Sequence, residues 1–288
     1  MSCKNYKEVA CTTALHHLKR RMPYSWDLNI YRGCEHGCKY CYAIYSHEYI
    51  GSGDYFGDIY VKTNIVDALE KQLREESWQR EIINIGGVTD SYQPAEAQYC
   101  LMPEILKLLI RYKTPAIIST KSDLVLRDYE LIDELSQLTY VNIAATTTTW
   151  DENLRQKLEP GGVSTQRRFA MLKQFRRTNA SVGVHMMPII PYMTDGYANL
   201  EALLAAAKDS EAHYVLPGTL YLRGKTRGVF FAFIKEEFPQ VYEPLLALYK
   251  TGGAGKEYKD GLYKNINALR EQYAISSSYV APMRQKLK

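Results

Sequence analysis

Apolar and polar positions follow two periods along this chain, and the two periods take turns. Short runs rich in branched apolar residues occur at Ile82-Ile83-Asn84-Ile85, Ala116-Ile117-Ile118-Ser119, Tyr140 to Thr147, Ser181 to Pro188 and Ala212 to Leu216. Runs of that length and content read as buried strands. Between them, apolar residues recur three or four apart: Ile65 to Glu76, Ala97 to Lys113, Arg127 to Leu138, Thr165 to Arg177 and Asn199 to Lys208. That spacing predicts helices. Trp26 to Tyr31 adds a strand before the first of them, and Cys38 to Tyr49 can start a helix. Strand–helix alternation argues an α/β protein with a parallel sheet wrapped by helices, in about six units. Past Gly224 the pattern becomes helical, over Val229–Glu237, Val241–Lys250 and Tyr263–Tyr273, with a glycine-rich break at 251–255. The division expected is a lead-in at 1–23, the alternating domain at 24–222 and a helical extension at 223–288.

Composition narrows the setting. With 288 residues, 46% of them hydrophobic, the chain can bury a substantial core. Its net charge of +4 is a mild excess, short of a strongly basic nucleic-acid footprint. No run of ~18 apolar residues occurs, so no membrane span is expected. The N-terminus has no apolar signal core, and a cytoplasmic location is expected.

The candidate chemistry lies in Tyr31-Arg-Gly-Cys-Glu-His-Gly-Cys-Lys-Tyr-Cys-Tyr42. Cys34, Cys38 and Cys41 stand in a C-x3-C-x2-C spacing. Three thiolates on one loop can hold three corners of a [4Fe-4S] cluster and leave one iron open. Gly33 and Gly37 let the backbone turn tightly there. The competing reading is a zinc site with His36 as fourth ligand. Cys3 and Cys11, eight residues apart, read as a second metal site or as two unrelated thiols. Cys100 sits in an apolar helical pattern, where a buried inert thiol is expected.

Further polar segments follow the strands: Gly86-Gly-Val-Thr-Asp-Ser-Tyr-Gln-Pro-Ala-Glu96, Ser119-Thr-Lys-Ser-Asp123, Thr146 to Thr149, Leu158-Glu-Pro-Gly161 and His185-Met-Met-Pro-Ile-Ile-Pro191. In parallel barrels the chemistry sits at these strand ends. Taken as an ordered set with the cysteine loop, over roughly residues 24 to 220, they resemble the radical S-adenosylmethionine (SAM) superfamily, and within it the spore photoproduct lyase-like (DNA repair photolyase-like) group.

That resemblance implies a partial (β/α)6 TIM-like barrel, a [4Fe-4S] cluster and SAM. It implies that SAM is cleaved reductively and that a hydrogen atom is abstracted from a substrate carbon. By position Gly86, Gly87 and Thr89 would receive the methionyl ammonium, Lys121 the methionyl carboxylate, and Thr146 the amino acid moiety or ribose. Tyr40, Met186 and Pro188 would pack near adenine. Tyr42 resembles a tyrosine of hydrogen transfer, although it reads equally as a shield for the cluster. A low-potential donor such as flavodoxin or ferredoxin is implied. One departure is visible: the true lyases carry a hydrogen-donating cysteine where Gly87 stands here.

The substrate is less legible. Arg155, Lys157, Arg167, Arg168, Lys173, Arg176 and Arg177 form one basic region, and Arg223, Lys225 and Arg227 another. Either could bind phosphates or be a solvated face. Tyr92, Tyr192, Tyr197 and Tyr221 could line a pocket. A nucleic-acid base is the first expectation, a peptide or small metabolite the second, and a non-catalytic iron–sulfur or zinc module the third.

Overall fold

A computed structural model describes residues 5–19, 23–51, 53–280 and 283. Strands β1 (Asn5–Val9), β2 (Leu15–His17), β3 (Trp26–Leu28), β4 (Tyr31–Arg32) and β5 (Asp58–Lys62) come first. Helix α1 (Ile65–Leu73) leads to β6 (Ile83–Ile85), α2 (Pro94–Tyr99), α3 (Leu101–Tyr112), β7 (Ala116–Thr120) and α4 (Tyr129–Leu138). Then follow β8 (Val141–Thr147), α5 (Glu152–Leu158), α6 (Thr165–Phe175), β9 (Ser181–Ile189), α7 (Tyr197–Asp209) and β10 (Tyr214–Thr219). Helices α8 (Gly224–Glu237), α9 (Pro239–Leu248) and α10 (Lys256–Tyr273) follow.

The strands β3, β6, β7, β8, β9 and β10 lie side by side and parallel, and β2 joins the β3 edge antiparallel. These are the six units the alternation predicts, in a partial barrel whose sheet does not close. A smaller sheet runs β1-β5-β4. Among the described residues, no helix is long and apolar enough to cross a membrane.

The two faces of the main sheet differ. One carries Ile83, Ile85, Ile118, Ile143, Val182 and Val184, buried against Leu69, Leu106, Leu135, Leu172 and Leu203 of the helices. The other carries Asn84, Ser119, Lys121, Thr146 and His185, each reached by solvent while its strand neighbours are buried. Closed barrels fill this interior with branched apolar side chains. Here its upper half is a polar cup.

Some elements depart from the pattern. The helix expected over 97–113 breaks at Cys100, which takes a left-handed conformation at φ 49° and is exposed rather than buried. Pro103 lacks an N–H and suits only the first turn of a helix. The fully buried Glu96 caps that new start, its carboxylate accepting from the Leu101 and Met102 N–H groups at 3.2 and 2.9 Å. The strand expected over Trp26–Tyr31 divides between the two sheets as β3 and β4. The helix expected from Cys38 is a 3-10 turn over Tyr42–Ile50.

Candidate functional site

The cysteine loop leaves β4 at Gly33, where φ is +88° and a β-carbon would stand 2.6 Å from the Asp58 carbonyl oxygen. Only glycine fits. The Gly33 carbonyl accepts from Thr89 Oγ1 at 2.6 Å and from Gln93 Nε2 at 3.2 Å. Gln93 Oε1 accepts from the Glu35 N–H at 2.9 Å. His36 is held at both ring nitrogens: Nε2 lies 3.0 Å from Asp90 Oδ2, and Nδ1 lies 2.9 Å from the Gly161 carbonyl. The Gly161 N–H donates back to the His36 carbonyl at 2.9 Å, and a β-carbon at Gly161 would strike the Glu35 carbonyl at 2.4 Å. On a third side, Thr226 Oγ1 of α8 donates to the Cys41 carbonyl at 2.9 Å. Segments that follow β6 and α5, and the start of α8, thus fix the loop from three directions.

Cys34 and Cys38 are buried, Cys41 is partly exposed, and all three are free thiols. Burial, then the Asp90 carboxylate and the neighbouring thiols, push the Cys34 thiol well above its ordinary value. Burial pushes Cys38 up to about 12. Thiols in so dry a place deprotonate only for a cationic centre. Among the described residues no three metal-binding side chains converge on a single ion. A cluster takes each thiolate on a separate iron. Zinc would also need a fourth ligand, and both nitrogens of His36 are engaged. The donor set fits a cluster with one open iron.

A second buried network backs the loop. The Tyr40 hydroxyl donates to Glu159 Oε1, which also accepts from Thr148 Oγ1 at 3.0 Å. Glu159 Oε2 pairs with Arg168 Nη2 at 2.6 Å, both side chains fully buried. Burial alone would raise the Glu159 pKa, but Arg168 and then Lys121 outweigh it and hold it at about 2. The Lys121 ammonium lies over the Tyr40 ring, 5.8 Å from its centroid.

The other expected residues have definite places. Gly86 turns at φ +88°. Gly87 faces Asp27, where a β-carbon would lie 2.6 Å from Asp27 Oδ2, and its carbonyl accepts from the Tyr42 hydroxyl. Thr89 uses its hydroxyl on Gly33. The Thr146 carbonyl accepts from Arg168 at 2.7 Å, and its side chain faces the cup. Met186 does not form the apolar wall expected of it: strand alternation turns it outward into the main core with Val182 and Val184. Pro188 is partly exposed on the same strand. Tyr92 is fully buried and donates to Asp128 at 3.0 Å, so it lines no pocket. Cys11 is held by Asn64, which accepts from its N–H at 2.8 Å and donates to its carbonyl at 2.9 Å, while Cys3 lies outside the described residues. Gln93, Asp90 and Glu159 stand in the quoted motifs but receive no role from the sequence alone; His36 reads there only as the competing zinc ligand, and Arg168 only as part of the basic region.

His185 lines the cup between Ser119 Oγ at 3.4 Å and the Tyr214 hydroxyl at 3.3 Å. Burial, then Lys121, lower its pKa to about 4 from 6.5. Between those values the unfolded chain holds the proton that the folded chain refuses. Stability is therefore complete above about pH 6.5 and declines as pH falls toward 4, by up to about 1.4 kcal/mol per pH unit. A His185→Gln variant is expected to lose that slope when thermal midpoints are followed from pH 7 to 5. An unchanged slope would show that another group sets it.

Residues 28–204 match the family model described as the Radical SAM superfamily. An uncharacterized protein of Mycobacterium bovis is 33% identical over 280 residues, which is 95% of this chain and 82% of the relative. One from Methanocaldococcus jannaschii is 28% identical over 240 residues, covering 83% of this chain and 85% of the relative. Among solved structures, spore photoproduct lyase complexed with dinucleoside spore photoproduct superposes with a TM-score of 0.68 at 14% identity, over 93% of this chain and 79% of that one. At that identity the likeness speaks for the fold. Because the family model spans both the thiol loop and the strand-end segments that clamp it, the chain belongs to the radical SAM superfamily.

Proposed function

We propose that the chain is a radical SAM enzyme that abstracts a hydrogen atom from a base of a nucleic acid. Cys34, Cys38 and Cys41 hold the [4Fe-4S] cluster, and a flavodoxin- or ferredoxin-like donor reduces it. When bound, the cluster and SAM supply the electron and the carbon-centred oxidant that takes the substrate hydrogen. Lys121 receives the methionyl carboxylate as a point charge. The bend at Gly86 and Gly87 gives the ammonium a close approach to backbone carbonyls.

The observation that carries the substrate reading is at the end of β10. Tyr221 is 57% exposed there, and the Arg223 guanidinium lies 6.0 Å over its ring. Tyr192, on the loop after β9, and Tyr197, the first residue of α7, are each 52% exposed. Exposed aromatic faces stack bases, at about 1–3 kcal/mol each, and arginines bind phosphates. The solved lyase that shares the fold has a dinucleoside bound, which agrees. The basic region around α6 adds less than its composition suggests. Arg155 pairs with Glu152 at 2.7 Å, Lys157 with Glu237 at 2.9 Å, Arg167 with Asp123 at 2.6 Å, and Arg168 is buried on Glu159.

The lyase reaction itself needs a hydrogen returned to the base. No thiol fits at Gly87 while Asp27 keeps its place, and Cys100 is exposed beside Arg127 at the α2–α3 break. Tyr42, 62% exposed and bonded to the Gly87 carbonyl, is the candidate group at that position.

The reading is tested by anaerobic reconstitution, reduction, and a search for deuterium in 5′-deoxyadenosine after incubation with labelled oligonucleotides. No transfer from any DNA or RNA base would exclude it. Reversal of charge at Arg223 and Arg227 together is expected to weaken oligonucleotide binding at least about tenfold. It should also reduce the slope of log affinity against log salt by about 2. An unchanged slope would place the phosphate contacts elsewhere.

A further inference from the structure

Lys121 is flanked by two buried carboxylates and paired with neither. Asp90 accepts the Lys121 backbone N–H at 2.8 Å, and Glu159 takes the hydroxyl of the tyrosine whose ring lies beneath the Lys121 ammonium. An ammonium and a carboxylate so placed in a dry interior attract strongly. Among the described residues, however, no acid comes within 4 Å of the Lys121 ammonium.

Each acid is held by other partners. Asp90 accepts from Thr120 Oγ1 at 2.8 Å and the Tyr92 N–H at 2.9 Å, and lies 3.0 Å from His36 Nε2. Glu159 is held by Tyr40, by Thr148 and by Arg168 at 2.6 Å. Arg168 is itself fixed. Its Nη1 donates to the Thr146 carbonyl at 2.7 Å and its Nε to the Val163 carbonyl at 3.0 Å. The Val163 N–H in turn donates to the Lys121 carbonyl at 3.1 Å. Arginine suits this duty because its planar fork bonds in several directions at once and it stays charged.

We propose that Arg168 is a positioning residue that holds Glu159 away from Lys121, so that the ammonium stays unpaired and open to the carboxylate of an incoming ligand. The inference rests on the reading of Lys121 as the seat of the SAM carboxylate. It assigns a buried arginine, one helix away from the cup, a role in the affinity of the site.

The test compares SAM with decarboxylated SAM, which lacks only the carboxylate, by titration calorimetry on the anaerobically reconstituted protein. In an Arg168→Gln variant Glu159 is released toward Lys121. SAM binding is expected to weaken about tenfold while decarboxylated SAM binding stays as it was, so the ratio of the two affinities falls. An E159Q/R168Q double variant removes both charges, a replacement that buried pairs tolerate better than the loss of one partner. It should restore the wild-type ratio. A ratio unchanged in Arg168→Gln, or still depressed in the double variant, overturns the inference. A wild-type protein with cluster that binds both ligands equally well removes Lys121 as the carboxylate seat. That result defeats the underlying reading and is distinct from the former.

Discussion

A Cys38→Ser variant is expected to fold, to take up no stable cluster, and to form 5′-deoxyadenosine at less than about one hundredth of the wild-type rate. Loss of residues that merely support a metal ligand costs about 10–100-fold, and Cys38 is proposed as a ligand itself. The fold should survive because the loop is fixed by backbone and side-chain bonds that do not involve sulfur: Gly33 to Thr89 and Gln93, His36 to Asp90 and Gly161, Cys41 to Thr226. A serine hydroxyl occupies nearly the same space but is buried there without a partner, so apo stability should fall by about 1–3 kcal/mol, which leaves the fold intact. Cys100→Ser supplies the control, since that thiol is exposed at a helix junction. Iron and sulfide per chain, the paramagnetic signal after reduction, and product by mass spectrometry read the two variants. Full cluster uptake by Cys38→Ser would remove that thiol from the ligand set.

The contrast between those cysteines shows what the sequence conveys. The thiol spacing is local, within eight residues, and its meaning needs no tertiary information. The strands β6 to β9 are equally plain, because burial on the helix side selects Ile and Val there, whereas β3, with Trp26 and Leu28, is legible only as part of a longer run that the fold divides between two sheets. Strand β1 carries no such signal: both its faces are partly wet, so no alternation marks it. Helix α5 has seven residues, too short for a period. The clamp was illegible for another reason. Asp90 and His36 are 54 positions apart, and Tyr40 and Glu159 are 119 apart. A polar residue in a strand-end loop reads as a ligand-binding residue whether it faces the ligand or its support. Thr89 reads as a SAM contact by position, yet its hydroxyl bonds the loop that holds Cys34. Met186 failed on parity, since a one-residue error in the face of β9 exchanges cup and core.

The largest loss of stability is expected from Asp90→Ala, at about 3–5 kcal/mol, the usual cost of removing one partner from a buried charged network. The carboxylate gathers four groups from three segments: Thr120 Oγ1, the N–H groups of Lys121 and Tyr92, and His36 Nε2. Burial works against its charge, but His36 and the hydrogen bonds more than offset it, so its pKa lies well below the ordinary 3.8. A depressed pKa places its stabilising contribution above pH 4, with loss as pH falls further. Alanine leaves those donors dry and unpaired, and each such group costs about 1–3 kcal/mol. Against a total stability of about 5–15 kcal/mol, the variant should melt far below wild type and retain less iron, because His36 then loses its tie to the segment after β6. Asp90→Asn keeps the shape and one accepting oxygen, so its loss should be smaller while the order of the two variants is preserved. Chemical denaturation of the apo proteins measures both. A loss below about 1 kcal/mol for Asp90→Ala would mean that the clamp does not hold the loop, and that Gly33 and Gly161 shape it unaided.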